Sequence, residues 1–474
     1  IPPAYSGRLL LSSSINDRYS KLDSKGYLNN HSDFYDSNSS VYRTDTTDQN
    51  KINNVSNNII GAKITYTEPL SKKSFLEFNY SLYNNNSIQK VTTYNRDFSG
   101  KYSVLVDSLS NNFKYSYLTH SGGVNYLFNN KEVNFSLGGN IANTAFQQTD
   151  NFRDSSRKSN YYNLFPRASF RYKINAFSNF NINYNGSTRQ PTIDQIQPLK
   201  NNDDPLNIIV GNPNLKQQFS NTFNMFYNSY QVVNQRFFYL GGNANFTKDQ
   251  ISSSYTIDTL GRKVSRYVNV EGNYSFGLYG GIGMKIPKTN ITMQFGPNAN
   301  ISQSGNYING EKNMTKNTSL SARLAMRMDK KDVCGFGFAA TPAYTNSKSS
   351  ISTVAGSRYW SYLFSVEGDY QLPWKIEIGS DVDFNLRQKI SAFDNNNNVI
   401  LWNAYLEKKF LKNDVLTLRA SINDILDQNK GYSRTVQSYA IEEKNYLTFR
   451  RYGLITLTYN FNNKGGAGAP TSRF

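Results

Sequence analysis

Few residues in this chain have side chains that could carry out catalysis. The sequence has two histidines, His31 and His120, and one cysteine, Cys334. The histidines are far apart and fit no HExxH pattern, and neither a GxSxG elbow nor a P-loop occurs. A nucleophilic cysteine needs an activating base, and no candidate for that base is recognisable. The sequence therefore predicts a protein that is not an enzyme and requires no cofactor.

Adjacent carboxylates offer the remaining chemistry. Asp203 and Asp204 lie in a polar stretch rich in asparagine, and Glu442 and Glu443 lie in a second one. Neighbouring carboxylates can bind Ca²⁺, but the spacing here does not match an EF-hand loop. We expect both pairs to be solvated and predict no metal site, and we retain Asp203 and Asp204 as candidates for contact with a ligand.

The composition narrows the class of protein. The 474 residues carry a formal net charge of +18 and include 35 tyrosines and 30 phenylalanines. Disordered chains are poor in aromatic residues, so a polar but aromatic-rich chain needs another explanation. The basic residues are scattered and form no zinc-finger or RNP pattern, so no nucleic-acid partner is expected. The sequence has no stretch of 18 consecutive apolar residues, so it predicts no transmembrane helix.

Apolar and polar residues alternate along most of the chain, which is typical of β-strands. One such segment places Phe180, Ile182 and Tyr184 opposite Asn179, Asn181, Asn183 and Asn185. Many segments are about 11 to 17 residues long, whereas strands of soluble proteins usually have five or six. That length suits strands tilted across a membrane, where the sheet must close because lipid cannot pair an open edge. The polar face would then line the lumen, with Arg323, Arg327, Asp381, Asp383 and Arg419 as the best candidates.

The connections between strands alternate between short and long. Short ones occur near residues 70, 129, 174, 233, 287, 329, 372 and 411. Bacterial outer-membrane barrels have short periplasmic turns and longer extracellular loops. We predict an all-β, transmembrane antiparallel β-barrel of about 18 strands over residues 1–461. Long extracellular loops are expected at about 15–54, 88–113, 190–217 and 424–445, and the other long connections are 147–159, 250–265, 304–315, 349–356 and 391–397.

The end of the chain also fits this topology. In the last predicted strand, Leu457, Tyr459 and Phe461 share an apolar face. A terminal strand that ends in aromatic residues resembles the signal by which outer-membrane proteins are recognised for assembly, although Phe474 also closes the chain on an aromatic residue. Residues 462–474 are rich in Gly and Pro and are expected to form a flexible periplasmic tail.

Three motifs in order carry a family resemblance: FPRASFRYKIN, STRQPTIDQIQP and DDPLNIIVGNPNLKQQFSNTFNMFYN. Together they resemble the hallmark region of TonB-dependent outer-membrane receptors, of the "outer membrane β-barrel" type abundant in Bacteroidota. The resemblance covers nearly the whole chain. It departs from the family at Lys216–Gln218, where GNPxL usually continues with Lys-Pro-Glu. The candidates for contact with a ligand in this region are Arg189, Gln190, Asp203, Asp204, Asn212 and Asn214.

The resemblance implies a barrel of 22 strands that encloses a plug domain. Four strands and the plug are therefore expected outside this sequence, either upstream or on another chain. The implied function is active import of a scarce nutrient, such as a metal chelate, an oligosaccharide or a peptide. The implied partners are the plug, the TonB protein, outer-membrane lipid with lipopolysaccharide, and a surface lipoprotein. Two alternatives stay open, a barrel that serves as a scaffold or subunit without transport, and a passive porin. Loop sequences without a regular pattern do not reveal the substrate.

Overall fold

The computed structural model describes residues 10–35, 40–196, 200–201, 207–233, 235–257, 263–351, 357–389, 398–411, 414–436 and 441–461. Within these ranges the chain is almost entirely β-structure. The other regular elements are a four-residue α-helix, α1 (Ile193–Ile196), and two three-residue 3₁₀ turns at Asp107–Leu109 and Pro373–Lys375. None of the described helices is long and apolar enough to cross a membrane.

The strands follow one another in chain order. They are β1 Leu10–Tyr35, β2 Val41–Pro69, β3 Ser74–Arg96, β4 Tyr102–Leu105, β5 Asn111–Asn129, β6 Val133–Asp150, β7 Ser155–Asn175, β8 Ser178–Arg189, β9 Lys200–Asn201, β10 Asn207–Val210, β11 Gln218–Gln231, β12 Arg236–Lys248, β13 Gln250–Ile257, β14 Lys263–Val270, β15 Asn273–Lys285, β16 Ile291–Ile308, β17 Glu311–Lys330, β18 Cys334–Ser349, β19 Ser357–Leu372, β20 Ile376–Arg387, β21 Val399–Phe410, β22 Leu416–Asn423, β23 Gly431–Val436, β24 Ile441–Tyr446 and β25 Tyr452–Tyr459.

Most of these strands belong to one antiparallel sheet, and β23 and β24 form a separate hairpin. Two pairs of elements are single strands with a short interruption. Asp249 alone separates β12 from β13, and residues 271–272 separate β14 from β15. With each pair counted once, and with β4, β9, β10 and the β23–β24 hairpin set aside, the described residues hold 18 main strands. This confirms the number expected from the alternation.

All eight predicted short connections are present. The turns join consecutive main strands at residues 70–73, 130–132, 176–177, 232–235, 286–290, 331–333, 373–375 and 411–415. Their composition varies, from Leu-Ser-Lys-Lys at 70–73 to Ala-Phe at 176–177 and Pro-Trp-Lys at 373–375. Each short connection that the sequence predicts is therefore a short connection in the structure.

The other ends of the strands differ from the prediction. Residues 15–54 are not an irregular loop, because β1 and β2 stay paired from Leu10–Thr67 to Tyr35–Val41. In the same way, only residues 151–154 separate β6 from β7, and only 309–310 separate β16 from β17. The segment 88–113 contains the end of β3, β4 and the start of β5. Polar composition was the signal for a loop, but a strand that extends beyond a membrane is polar on both faces and still pairs its backbone.

Two of the predicted long loops do remain as connections. Residues 190–217 link β8 to β11 and contain α1, β9 and β10, while 424–451 link β22 to β25 and contain the β23–β24 hairpin. The assignment of these connections to the extracellular side remains a prediction. The tail, 462–474, lies outside the described residues.

The chain divides into two compact units. The first comprises residues 1–226, 243–276 and 303–314, and the second comprises 227–242, 277–302 and 315–474. In both units the sheet has an outer face with exposed apolar side chains. On β6 of the first unit, for example, Leu137 and Ile141 are 55% and 65% exposed. The opposite, inner face bears mostly polar side chains, and this distribution is expected where the outer face contacts lipid.

Candidate functional site

The pairing between β7 and β8 stops part-way along β7. The two strands pair from Asn175–Ser178 to Arg167–Asn185, and the next residue on each strand is Pro166 and Gly186, respectively. Proline has no N–H to donate to a ladder. A Cβ on Gly186 would lie 2.7 Å from the Pro166 ring, so the close approach requires glycine. Because β7 continues to pair with β6 as far as Ser155, β8 leaves β7 at this point.

The GNPNL turn, residues Gly211–Leu215, lies beside the part of β7 that β8 has left. Arg157 of β7 donates a hydrogen bond to the carbonyl oxygen of Pro213. Gln217 Nε2 donates to the carbonyl oxygen of Tyr162 at 3.2 Å. The segment therefore occupies the position next to β7 that a paired strand would otherwise hold.

Asn212 organises the turn through both ends of its side-chain amide. Its Oδ1 accepts the N–H of Asn214 at 3.0 Å, which is the local bond of an Asx turn. Its Nδ2 donates to the carbonyl oxygen of Tyr267 in β14 at 2.8 Å. The backbone N–H of Asn212 donates to the carbonyl oxygen of Gln195 at 2.6 Å. These bonds join the turn to α1 and to the sheet.

The short helix α1 begins with a capping interaction that its sequence encodes. Thr192 precedes the helix, and Gln195 Oε1 accepts the N–H of Thr192 at 3.0 Å. This is half of the Thr-x-x-Gln capping box, in which the third helical residue reaches back to the N-cap. The cap positions Ile196, the last residue of the helix, which is 8% exposed.

Ile196 and Leu215 anchor the connection on the inner face of the sheet. Both are buried in a cluster with Tyr115 of β5 and Phe146 of β6. The rings of Tyr115 and Phe146 lie 4.6 Å apart. Along the same strands, the exposed residues of the outer face, such as Leu118 and Ile141, occupy the alternate positions. The connection from β8 to β11 is therefore folded against the inner face.

The predicted ligand-contact residues fall into three groups. Arg189 is the exposed last residue of β8, and Gln190 follows it and is half-buried. Asn214 is exposed at the GNPNL turn, whereas the hydrogen bonds of Asn212 give it a structural role. Asp203 and Asp204 lie outside the described residues. The turn thus keeps the position of Asn214 available to a ligand and uses Asn212 for its own fold.

A groove of about 840 Å³ lies between β7 and the GNPNL turn. Its lining includes three cationic side chains, Arg157, Lys216 and Lys248. Asp249 is the carboxylate in the lining, and Tyr162 and Leu164 contribute aromatic and apolar surface. The charge of the groove favours an anionic group.

The lumen candidates of the second unit lie on its inner face. Arg327 Nη1 donates to Glu367 Oε1 at 2.7 Å. The strand between them contributes Gly337, which is paired with both Arg327 and Glu367. A Cβ on Gly337 would lie 2.7 Å from Glu367 Cγ, so the ion pair crosses β18 over a position that lacks a side chain.

Most of the other lumen candidates also have partners. Asp381 Oδ2 accepts a bond from Asn403 Nδ2 at 2.7 Å, and Asp383 Oδ1 accepts one from Ser365 Oγ at 2.6 Å. The Arg419 guanidinium lies 3.6 Å from the centre of the Tyr405 ring, a cation–π contact. Arg323 lies on β17 of the same unit and also interacts with another group of the protein. These contacts give the residues a structural role on the inner face, and their part in a lumen remains a prediction.

Sequence reasoning missed two polar networks on the inner faces. In the second unit, Tyr405 Oη donates to Glu377 Oε1 at 2.7 Å, and Lys409 Nζ lies 3.6 Å from Glu377 Oε2. In the first unit, Asn125 is 1% exposed and accepts a bond from Arg167 Nε at 2.7 Å. The alternation placed these residues on the polar face, but their pairing depends on strand register. Among the described residues, no group of three or more His, Cys, Asp or Glu side chains could hold a metal ion.

The candidate assembly residues lie at the edge strand β25 and directly after it. Leu457 and Tyr459 are 67% and 49% exposed, and Phe461 is 88% exposed. The rings of Tyr459 and Phe461 meet edge to face with their centres 4.8 Å apart. The structure thus presents them on one exposed face, and their role as an assembly signal remains a prediction.

Comparison with known proteins assigns the family. The model of the outer membrane protein beta-barrel family matches residues 11–459, which is nearly the whole chain. The chain belongs to this family. It is accordingly an outer-membrane β-barrel protein, as the alternation and the connections predicted. No curated protein sequence matches the chain.

Three solved structures illustrate the structural similarity. The unliganded ferric citrate transporter FecA is 12% identical with a TM-score of 0.48, and the match covers 94% of this chain and 59% of that one. The ferric yersiniabactin uptake receptor FyuA from Yersinia pestis is 8% identical with a TM-score of 0.39, and the match covers 96% of this chain and 80% of that one. A double mutant of the Serratia marcescens hemophore receptor HasR, with its hemophore HasA and heme, is 10% identical with a TM-score of 0.41, and the match covers 95% of this chain and 80% of that one. The chain spans 59% of the length of the FecA chain. The family consists of outer-membrane proteins, which agrees with the prediction that the chain is not an enzyme.

Proposed function

We propose that this chain is the barrel part of a TonB-dependent outer-membrane transporter that imports a scarce nutrient. The observation that carries the proposal is the connection between β8 and β11, which is folded against the inner face by Ile196 and Leu215. A connection held there by a buried cluster is suited to contact a ligand and to control its passage.

The charge pairs of the inner face support the same proposal. A polar, hydrogen-bonded surface such as that around Arg327 and Glu367 can pack against a plug domain or can line a hydrated path. Where a plug fills the barrel, the import of a ligand requires an energised change, which the TonB protein would supply. The plug and TonB are therefore the proposed protein partners, together with outer-membrane lipid.

A second candidate function is a subunit of a surface complex. The observation that favours it is the length of the β1–β2 hairpin, in which β1 has 26 residues and β2 has 29. A membrane crossing by a tilted strand needs about 9 to 11 residues. Part of the hairpin would therefore extend beyond the membrane, where a lipoprotein partner can bind. This candidate predicts co-purification of a partner in stoichiometric amount and no loss of nutrient uptake on deletion.

Growth on single limiting nutrients tests the main proposal. The gene is deleted from the native host, and growth is measured on iron chelates, oligosaccharides or peptides supplied one at a time. We expect loss of growth on one class, restored by the wild-type gene and not by the wild-type gene in a host without TonB. A host that grows equally on every class with and without the gene contradicts the proposal.

Variants of the connection sharpen this test. Arg189→Ala/Gln190→Ala changes two predicted ligand contacts, and Lys72→Ala/Lys73→Ala in the turn at 70–73 is the matched control. With equal amounts of each protein in the outer membrane, we expect the first pair to impair growth on the limiting nutrient and the control to leave it unchanged.

A further inference from the structure

One edge of β7 has no strand paired with it over about half of its length. β8 pairs with β7 from Asn175 only as far as Arg167, whereas β6 pairs with β7 as far as Ser155. Of the strands that the structure describes, none pairs with β7 at this edge between Arg167 and Ser155. The backbone donors and acceptors of an unpaired edge form a template for an added strand.

The direction of the backbone groups of β7 follows from one hydrogen bond near its other end. The N–H of Lys173 donates to the carbonyl oxygen of Glu132, which directly precedes β6. The β6–β7 register is continuous, and successive backbone groups of a strand point to alternate sides. Odd-numbered residues of β7 therefore face β6, and even-numbered residues face the free edge. The N–H groups at that edge are those of Lys158, Asn160, Tyr162 and Leu164.

Two side chains cross the free edge where a strand would otherwise lie. Arg157 donates to the carbonyl oxygen of Pro213, and Gln217 Nε2 donates to that of Tyr162 at 3.2 Å. The Oε1 atom of Gln217 is buried and has no hydrogen-bond partner among the described residues. A buried amide oxygen without a donor costs free energy. The N–H of a peptide strand added at this edge is such a donor.

The groove of about 840 Å³ beside this edge is positively charged. Arg157, Lys216 and Lys248 are exposed in its lining, and Asp249 is the carboxylate there. No ion pair joins Lys216 or Lys248 to a carboxylate within the described ranges. Three cations and one carboxylate leave a net positive charge, which attracts the carboxylate groups of a ligand.

From these observations we propose that the groove binds an extended peptide with an acidic carboxyl end, which adds to the free edge of β7 as a strand. Extended peptides add to exposed sheet edges through main-chain hydrogen bonds. From Lys158 to Leu164 the edge measures roughly 20 Å at about 3.3 Å per residue, which suits about six peptide residues. Lys216 and Lys248 contact the carboxylates through charge-assisted hydrogen bonds. The inference deepens the proposed function by naming a class of ligand, and only the import of the bound peptide rests on that function.

The side chains along the edge suit apolar or aromatic peptide residues. Tyr162 and Leu164 are 72% and 53% exposed on one face of β7, and Tyr161 lines the groove from the other face. Successive side chains of an extended peptide point to opposite sides, so alternate residues of the ligand contact these two surfaces. The bound peptides should therefore have apolar or aromatic residues before their acidic end.

The test captures peptides on the purified full chain in detergent micelles. The probe is a pool of synthetic hexapeptides that are randomised at every position and have free carboxyl ends, and the retained peptides are sequenced by mass spectrometry. We expect the wild type to retain peptides with an acidic residue at or next to the carboxyl end. Retention of no peptide, or of peptides without such an end, would overturn the proposal. The dissociation constant of the most enriched peptide is then measured by fluorescence anisotropy.

Variants of the site show whether the charge and the free edge bind this peptide. Lys216→Gln/Lys248→Gln should weaken binding by a factor of about ten or more. The charge-matched control Lys72→Gln/Lys73→Gln, in the exposed turn at 70–73, should bind as the wild type does. Asn160→Pro removes one N–H of the free edge and should weaken binding, whereas Asn160→Ala keeps that N–H and should not. Retention of heat-modifiable migration in gels shows that each variant is folded.

Methylated forms of the peptide separate strand addition from simple anion binding. Alternate backbone nitrogens are methylated in either of the two possible registers, and one of the two products blocks the N–H groups that face β7. We expect that product to bind more weakly by a factor of about ten or more. Equal binding of the parent peptide and both methylated forms would overturn the proposal, as would equal binding by the wild type and the lysine double variant. Competition by citrate at the affinity of the peptide would also overturn it, because the site would then bind free anions. These results do not depend on import, so they can fail or succeed separately from the growth test.

Discussion

Pro166 of β7 and Gly186 of β8 face each other where the pairing of their strands stops, and a Cβ on Gly186 would lie 2.7 Å from the proline ring. Proline withholds an N–H from the ladder, and glycine allows β8 to pass close to the proline ring. The opening that this contact leaves beside β7 is filled by the GNPNL turn. This proline and this glycine thus determine where the connection can dock.

The first prediction concerns this contact. We expect Gly186→Ala to destabilise the protein by about 1–3 kcal/mol, because overpacking forces the proline or the backbone to move. The measurement is the temperature at which heat-modifiable migration in gels is lost. Gly122→Ala is the matched control, since a Cβ at Gly122 would meet no atom within 4 Å. Equal transition temperatures for both variants would show that the close approach is not a constraint.

The second prediction concerns the anchor of the connection. Leu215 is 5% exposed, and Leu215→Ala should weaken the docking of the connection by about 2–5 kcal/mol through the lost contacts and the cavity left behind. Hydrogen exchange should then accelerate in residues 207–217 and stay unchanged in β18–β20. Leu137→Ala, on the exposed outer face, is the control and should leave exchange in residues 207–217 unaltered.

The third prediction separates the two roles of the turn asparagines. Asn212→Ala removes the bonds to Asn214 N–H and the Tyr267 carbonyl and should cost about 1–3 kcal/mol of local stability. Asn212→Asp keeps the acceptor but places a carboxylate against the Tyr267 carbonyl, so it should be no better than alanine. Asn214→Ala should leave exchange in the turn as in wild type, because that side chain is exposed. An Asn214→Ala effect as large as that of Asn212→Ala would contradict this division.

The fourth prediction concerns the ion pair across β18. The side chains of Arg327 and Glu367 are 47% and 31% exposed, so screening limits their contribution to about 0–1 kcal/mol. Glu367→Gln should therefore lower the transition temperature only slightly. Gly337→Ala should lower it more, because a Cβ there would lie 2.7 Å from Glu367 Cγ. A larger loss for Glu367→Gln than for Gly337→Ala would reverse this order and contradict the steric account.

The fifth prediction is a pH dependence in the turn after β3. Hydrogen bonds from Ser103 and Ser99 to its carboxylate lower the pKa of Asp97 to about 2. A lowered pKa favours the folded turn above the ordinary aspartate value and loses this effect as the pH falls through about 2. Protection of the Ser99 and Lys101 amides, which donate to Asp97 Oδ1 at 2.9 Å, should therefore persist from neutral pH to about pH 3. In Asp97→Asn, protection should already be reduced at neutral pH.

How much of the fold and of the candidate site the sequence predicts depends on how far apart in the chain the interacting residues lie. Alternation indicates which face each side chain takes, and Arg327, Asp381, Asp383 and Arg419 share one face of the sheet in the structure. That this face lines a lumen remains a prediction. The short turns were located where the alternation is interrupted. Polar composition failed at 15–54, because a strand that leaves the membrane has no apolar face to reveal its period.

The contacts within the site required three-dimensional register. The link between Arg327 and Glu367 spans 40 residues and depends on the glycine that lies between them. The burial of Leu215 against Tyr115 and Phe146 joins two strands and one connection that are far apart in the sequence. One local signal was available and unused: the Thr192-x-x-Gln195 pattern of a capping box, which marks α1 directly.

Energy-dependent uptake tests the central claim most directly. Cells that express the wild-type gene receive the nutrient that the growth test identifies, in labelled form. Its external concentration is kept well below its concentration inside the cell. We predict accumulation that stops when an uncoupler removes the proton gradient, and that falls in Leu215→Ala but not in Leu137→Ala. Uptake that is insensitive to the uncoupler and ends at the external concentration would show a passive pore and contradict the account.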